Sequence, residues 1–293
     1  MVKYVNPFTD FGFKKIFGEE ASKPLLLDFL NALLPAENKI KSLSFKNNEK
    51  SGVTDEARKV IFDIYCESRS GEKFIVEMQK AKQNYFKERT IFYSTFPIRE
   101  QAEKGVTWDY NLKAVYCVGI LDFTFDDYKT EPEKSEVVHT VKLKNQHGKI
   151  FYDKLTYVYL EMPNFNKKIN ELKTRLDQWL YFIKHLEDLQ TIPAIFKDKI
   201  FTKALQKAAI ANYNKDDLLI YENSLKIYRD MKGVLTTAFD EGKIEGILEG
   251  ENKGEIKLRA KLFDIAKKLK QQKMPIKIIM STTGLTRNEI ESL

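Results

Sequence analysis

Apolar and polar residues alternate along two neighbouring segments of the chain, KVIFDIYCES (59–68) and KFIVEMQK (73–80). A period of two residues predicts strands that bury one face against a core. The segment between them, RSGE (69–72), has the composition of a tight turn. The pattern therefore predicts an antiparallel β-hairpin in the first third of the chain.

Other segments complete the picture of a mixed sheet between helices. Runs of β-forming residues predict further strands at 40–45, 112–123, 137–144 and 155–162. Helical periodicity predicts helices at 6–17, 25–34, 84–103, 168–188, 194–212, 215–240 and 258–272, with two short ones in 276–293. The order of elements predicts an α/β fold, with a sheet over about 40–162 and a helical half over 166–240.

Glycine recurs every fourth residue in EGKIEGILEGENKGE, at 242, 246, 250 and 254. Each glycine weakens a helix by about 1 kcal/mol relative to alanine. We favour a flexible linker, which divides the chain into a domain over 1–240 and a small helical tail over 241–293. The alternative is a helix face that a partner helix approaches closely, which would support a homo-oligomer formed through the tail. The two short helices of the tail resemble a helix-turn-helix in outline, but a role in packing is the favoured interpretation.

The predicted hairpin places two carboxylates side by side. If Ser70 is its centre, Asp63 faces Glu77, and Gln79 shares their side of the sheet. Like charges that face each other destabilise a sheet, and Mg²⁺ binds such pairs together with water and phosphate oxygens. Two solvated carboxylates on an edge hairpin are the alternative. The same pairing predicts a common apolar face for Val60, Phe62, Ile64, Cys66, Phe74, Val76 and Met78.

Composition narrows the class of protein. The 293 residues carry 49 Lys and Arg against 42 Asp and Glu, a net charge of +7, which is weak support for a polyanionic partner. No apolar run reaches the roughly 18 residues that span a bilayer, and the N-terminus is charged where a secretory signal is apolar. Both cysteines lie in apolar runs typical of buried strands. These features predict a cytoplasmic protein that does not associate with membranes.

The hairpin and several other segments resemble a known family. FDIYCESRSGEKFIVEMQ (62–79) resembles the D-x(n)-E-x-K core of the PD-(D/E)XK nucleases. The wider chain is similar to the Rpn-type recombination-promoting nucleases and transposases within that superfamily. The segments that carry this similarity are NPFTDFGFKKIFG, LLLDFLNALLP, KERTIFY, RLDQWLYFIKHL, YENSLKIYRDM and the glycine repeat.

The resemblance implies a restriction-endonuclease-like fold and a Mg²⁺-dependent endonuclease, with Mn²⁺ as a substitute, that acts on DNA in recombination or mobility. It implies that Asp63 and Glu77 hold the metal and that Gln79 occupies the position of the catalytic lysine. Asp10 matches an acidic position near the active site of such folds. Lys14 or Arg89 would supply positive charge and contact nucleic acid.

Gln79 is the main departure from the superfamily pattern. Its amide can orient a water molecule but carries no charge, and strand alternation places the adjacent Lys80 on the opposite face. The alternative function is therefore a nucleic-acid-binding or assembly protein that retains the nuclease fold and cleaves weakly or not at all.

Overall fold

A six-stranded mixed sheet forms the centre of the fold. The computed structural model describes residues 3–50, 60–102, 109–125 and 130–293. The strands are β1 (Leu43–Phe45), β2 (Glu49–Lys50), β3 (Val60–Ile61), β4 (Ile64–Ser68), β5 (Lys73–Gln79), β6 (Val115–Leu121), β7 (Val138–Lys144) and β8 (Ile150–Glu161). The large sheet has the order β1-β4-β5-β6-β8-β7, and β2 pairs with β3 separately. Strands β5, β6 and β8 are parallel, and the remaining pairs are antiparallel.

Helices account for most of the remaining described chain. They are α1 (Asp10–Phe13), α2 (Lys23–Leu33), α3 (Phe86–Arg99), α4 (Arg175–His185), α5 (Lys199–Ala208), α6 (Lys215–Gln271), α7 (Ile276–Thr283) and α8 (Arg287–Glu291). Helix α1 continues as a π-helical turn over Lys14–Gly18. Side-chain caps begin several helices: Thr9 accepts the N–H of Gly12 in α1, and Thr174 accepts the N–H of Asp177 in α4.

The two faces of the sheet pack against different helices. One face packs against α1, α2, α4 and α5 around Trp179, which is fully buried and donates its indole N–H to Asp28 Oδ1 at 2.7 Å. The other face packs against α3 through an aromatic cluster that includes Phe62, Phe86 and Tyr159. Both faces are thus covered by helices, which confirms the predicted α/β fold with a central mixed sheet.

The predicted strand 59–68 is interrupted at Phe62 and Asp63. The backbone N–H of Phe62 donates to the carbonyl of Asn48, and the Asn48 amide donates to the carbonyl of Phe62. The interruption changes the phase of the alternation, so Val60 and Phe62 belong to the α3 face and Ile64 to the other. Their predicted common face is therefore wrong. Residue 59, where this strand was expected to begin, lies outside the described residues.

Several helices and strands begin at residues other than the predicted ones. Helix α4 begins at Arg175 rather than at 168, where Thr174 and Asp177 form a capping box. Strand β8 begins at Ile150, five residues before its predicted start. The predicted end of the third helix at residue 103 lies outside the described residues.

The chain separates into two compact units, Met1–Met231 and Lys232–Leu293. The second unit has an apolar cluster of its own, made of Ala266, Ile279, Leu285 and Ile290. In the described chain, no helix has the length and apolar character needed to cross a membrane.

The glycine repeat is helical, since residues 242–254 lie inside α6. A Cβ added at any of the four glycines would meet no atom within 4 Å in the described structure. The repeat is thus helical and not a loop, and its glycines do not pack against any of the described residues. The division into a domain over 1–240 and a tail over 241–293 remains a prediction.

Candidate active site

Asp63 and Glu77 lie side by side where β4 and β5 meet. The antiparallel pairing runs from Glu67 opposite Lys73 to Ile64 opposite Val76, so the next two opposing residues are Asp63 and Glu77. The backbone N–H of Asp63 donates to Glu77 Oε1 at 3.1 Å. Asp63 Oδ2 in turn accepts the backbone N–H of Met78 at 2.8 Å. The hairpin therefore fixes both carboxylates at the same end of the two strands.

Burial makes it costly for both acids to be ionised. Glu77 is only 6% exposed, and burial, followed by the charge of Asp63, raises its pKa to about 8. Burial also raises the pKa of Asp63, although the Met78 N–H and the charge of Lys14 act in the opposite direction. Groups that interact this strongly titrate as a pair. Because the pKa of Glu77 is raised to about 8, the pair favours a state with one proton bound near neutral pH.

The N-terminal helix brings a second pair of charges to this position. Lys14 Nζ lies 2.8 Å from Asp10 Oδ1, one helical turn away, and both side chains are partly exposed. The positive charge of Lys14 lowers the pKa of Asp63 and of Glu77, whereas Asp10 raises that of Asp63. The structure thus places Lys14 and Asp10 within electrostatic reach of the carboxylate pair.

Arg89 approaches the pair from α3. Its positive charge lowers the pKa of Glu77. The guanidinium lies over the rings of Phe86 and Tyr93, at 5.2 and 5.6 Å from their centroids, and Nη1 donates to Gln83 Oε1. Its Nε and Nη2 atoms are buried and have no hydrogen-bond partner among the described residues.

Gln79 and Lys80 occupy the end of β5. Gln79 is the last residue of the strand, half-buried, and its carbonyl accepts the N–H of Asp122. Strand alternation directs the side chains of Gln79 and Lys80 to opposite faces of the sheet. Lys80 nevertheless interacts electrostatically with Asp63 and Asp10. Burial is the main cause that lowers the pKa of Lys80. Strand alternation alone predicts that Lys80 lies away from the acids, but its position just beyond the end of β5 allows it to approach them.

The donor set suits a hard divalent cation. Two adjacent carboxylates that resist joint ionisation gain from a cation between them, and Mg²⁺ commonly takes one or two carboxylates and keeps several waters. Across the described residues there is no group of three or more His, Cys, Asp or Glu side chains placed to hold a metal. Asp63 and Glu77 could therefore supply two ligands of such an ion, with water in the other positions.

Comparison of the sequence with known protein families identifies the family of this chain. A family model described as "PD-(D/E)XK nuclease family transposase" matches residues 7–238. The matched region includes the sheet, the hairpin and each residue of the site described above. Neither the curated proteins nor the solved structures contain a match to this chain.

Proposed function

The chain belongs to the PD-(D/E)XK nuclease family transposases, and from that premise we propose that it is a metal-dependent endonuclease that hydrolyses phosphodiester bonds in DNA. The observation that carries the proposal is the contact between the half-buried Asp63 and the buried Glu77, each held by a backbone N–H of the hairpin. The transposase description of the family supports DNA as the substrate and a role in recombination or mobility.

Each residue of the site has a chemical role in this proposal. Asp63 and Glu77 would hold the ion, with Mg²⁺ favoured and Mn²⁺ as a substitute. When bound, such an ion polarises the phosphoryl group and lowers the pKa of a bound water. Gln79 orients the attacking water through its amide, Lys14 contacts the phosphate backbone, and Arg89 contacts the nucleic acid from the side of α3. Asp10 keeps Lys14 in place through their ion pair.

Lys80 contributes the charge that Gln79 lacks. Its ammonium interacts with Asp63 and Asp10, so it adds positive charge on the side of the site that faces α1. A positive group there would favour the negative charge that builds up on the phosphate during hydrolysis. On this proposal, Lys80→Gln slows cleavage without abolishing binding of the metal.

A plasmid-nicking assay tests the function. We expect the full chain to nick supercoiled DNA with Mg²⁺ or Mn²⁺ and to lose this activity in EDTA. Asp63→Asn should lower the rate by about 100-fold or more. Asp240→Asn, an exposed acid on α6, is the matched control and should retain the rate. A wild-type protein that shows no nicking with either metal would contradict the proposal.

The alternative function rests on one observation, which is Gln79 at the position of the superfamily's catalytic lysine. If cleavage is absent, a nucleic-acid-binding or assembly protein remains. Binding of DNA that is unaffected by EDTA and by Asp63→Asn would favour that alternative.

A further inference from the structure

A cavity of about 610 Å³ opens beside α3. This volume falls in the range typical of sites for small ligands. Its lining includes Tyr85, Glu88, Arg89, Phe92 and Tyr93. The lining therefore combines aromatic rings with one acidic and one basic side chain.

Two of the aromatic side chains expose their rings to solvent. Tyr85 is 76% exposed and Phe92 is 47% exposed. Tyr85 also adopts φ 63°, a left-handed conformation that a bulky residue rarely takes. Exposed aromatic faces at the edge of a cavity are the surfaces on which nucleobases stack.

Arg89 supplies hydrogen-bond donors that the described structure leaves unused. Nε and Nη2 are buried without a partner, while the rings of Phe86 and Tyr93 fix the plane of the guanidinium. A buried donor without an acceptor destabilises a protein. The guanidinium of Arg89 therefore adds a charged plane of fixed orientation to the wall of the cavity.

The charges in the cavity decide between a phosphate and a base. Glu88 lines the same cavity as Arg89, and its carboxylate would repel a phosphate. A nucleobase edge presents acceptors and donors together, which suits a guanidinium beside a carboxylate. The ring faces of Tyr85 and Phe92 then supply the stacking.

We infer that this cavity binds one unpaired nucleobase next to the scissile phosphate. The inference rests on the proposed nuclease function and narrows its substrate to DNA with an unpaired nucleotide: a single strand, a bulge or a frayed end. The location of the cavity next to the carboxylate pair supports this inference, since Arg89 lines the cavity and also interacts electrostatically with Glu77. In a duplex the base faces are stacked and the edges paired, so a base enters only after it has been flipped out, at a cost of about a few kcal/mol.

Binding by the full chain in the cleavage-defective Asp63→Asn background tests the inference. The probes are a single-stranded oligonucleotide that contains 2-aminopurine and the duplex of the same sequence. We expect Tyr85→Ala to raise the Kd for the single strand about tenfold and to change the duplex Kd less than about twofold. Tyr85→Phe keeps the ring and should retain tight binding, as should Phe151→Ala, which removes an aromatic side chain that is 81% exposed elsewhere.

A second variant tests whether weaker binding could result from misfolding instead of the loss of a contact. Arg89→Lys keeps the charge but loses the planar set of donors, so it should weaken binding of the single strand more than that of the duplex. The fluorescence of 2-aminopurine should fall on binding to the parent and fall less with Tyr85→Ala. Unchanged melting temperatures would show that both variants are folded.

Two results would overturn the inference: equal single-strand affinity in the parent and Tyr85→Ala, or an equal loss for single strand and duplex. Either result, together with metal-dependent nicking by the wild type, removes the base site and leaves the nuclease intact. Absence of nicking by the wild type, together with the expected stacking on Tyr85, rejects the nuclease and leaves the base site.

Discussion

Asp63 donates its backbone N–H to the carboxylate of Glu77 over 3.1 Å, while its own carboxylate accepts the N–H of the residue after Glu77. The backbone of the hairpin thus holds both acids in place. This arrangement holds two mutually repelling groups in place. The protein therefore carries a local instability that a divalent ion would relieve.

The first prediction concerns the pH dependence of stability. The pKa of Glu77 rises from an ordinary 4.5 to about 8 on folding, so between these values the folded protein keeps a proton that the unfolded chain releases. The free energy of unfolding without metal should therefore fall as pH rises from 5 to 8, by up to about 1.4 kcal/mol per pH unit.

Urea denaturation at a series of pH values measures this slope. Glu77→Gln cannot ionise and should flatten the dependence, whereas Glu222→Gln, an exposed acid on α6, should leave it unchanged. A wild-type stability that rises over this range would contradict the assigned direction of the shift.

The second prediction concerns metal binding at the same pair. Metal and protons compete for the carboxylates, so Mg²⁺ should raise the melting temperature more at pH 8 than at pH 5. A hundredfold excess over the Kd corresponds to about 2.7 kcal/mol of stabilisation. Differential scanning calorimetry should show this effect in the wild type and its loss in Asp63→Asn. Equal stabilisation of both proteins would place the metal elsewhere.

The third prediction contrasts two glycines. A Cβ at Gly12 would lie 2.2 Å from the carbonyl oxygen of Asn6, so Gly12→Ala forces the backbone of α1 to move. We expect it to destabilise the protein by about 1–3 kcal/mol and to slow cleavage, because α1 leads into the turn that carries Lys14. Gly250→Ala meets no atom within 4 Å and should stabilise the α6 helix by about 1 kcal/mol.

Chemical denaturation of the two variants, monitored separately by tryptophan fluorescence and by circular dichroism, checks this contrast. Both Trp residues precede residue 231, so the fluorescence signal reports on the first unit. Equal stabilities for Gly12→Ala and the wild type would show that the N-terminal turn adapts to the added methyl group.

The fourth prediction concerns the tail. Each unit has its own apolar cluster, so a chain that ends at Phe239 should fold cooperatively and keep metal-dependent nicking. Limited proteolysis of the full chain should cut first between Gly242 and Gly254, where exposed glycines weaken the helix.

Alanine at all four glycines of the repeat is the control for this experiment, and it should slow the cut without changing the nuclease unit. Two results would show that the tail is integral to the fold. One is that the shortened chain is insoluble, and the other is that protease cuts other segments before it cuts the glycine segment.

Much of the sheet follows from local pattern. The hairpin register was predictable because its strands alternate and the turn is short, so Glu67 pairs with Lys73 and Tyr65 with Ile75 as expected. The interruption at Phe62 was not predictable, since it depends on hydrogen bonds to Asn48, 14 residues earlier in the chain. That contact turns Phe62 towards Tyr65 and Tyr93 on the α3 face.

Some features of the candidate site likewise follow from local sequence pattern, and others depend on tertiary packing. Asp63 and Glu77 could be recognised as neighbours from the alternation of the two strands, because the register of a hairpin places opposing residues. Which positive charges approach the two acids depends on tertiary packing, because Lys14, Lys80 and Arg89 come from different elements. Their approach depends on how α1 and α3 pack on opposite faces of the sheet. Burial is likewise a property of the packed fold, and it is burial that raises the pKa of Glu77 and leaves two donors of Arg89 without a partner among the described residues.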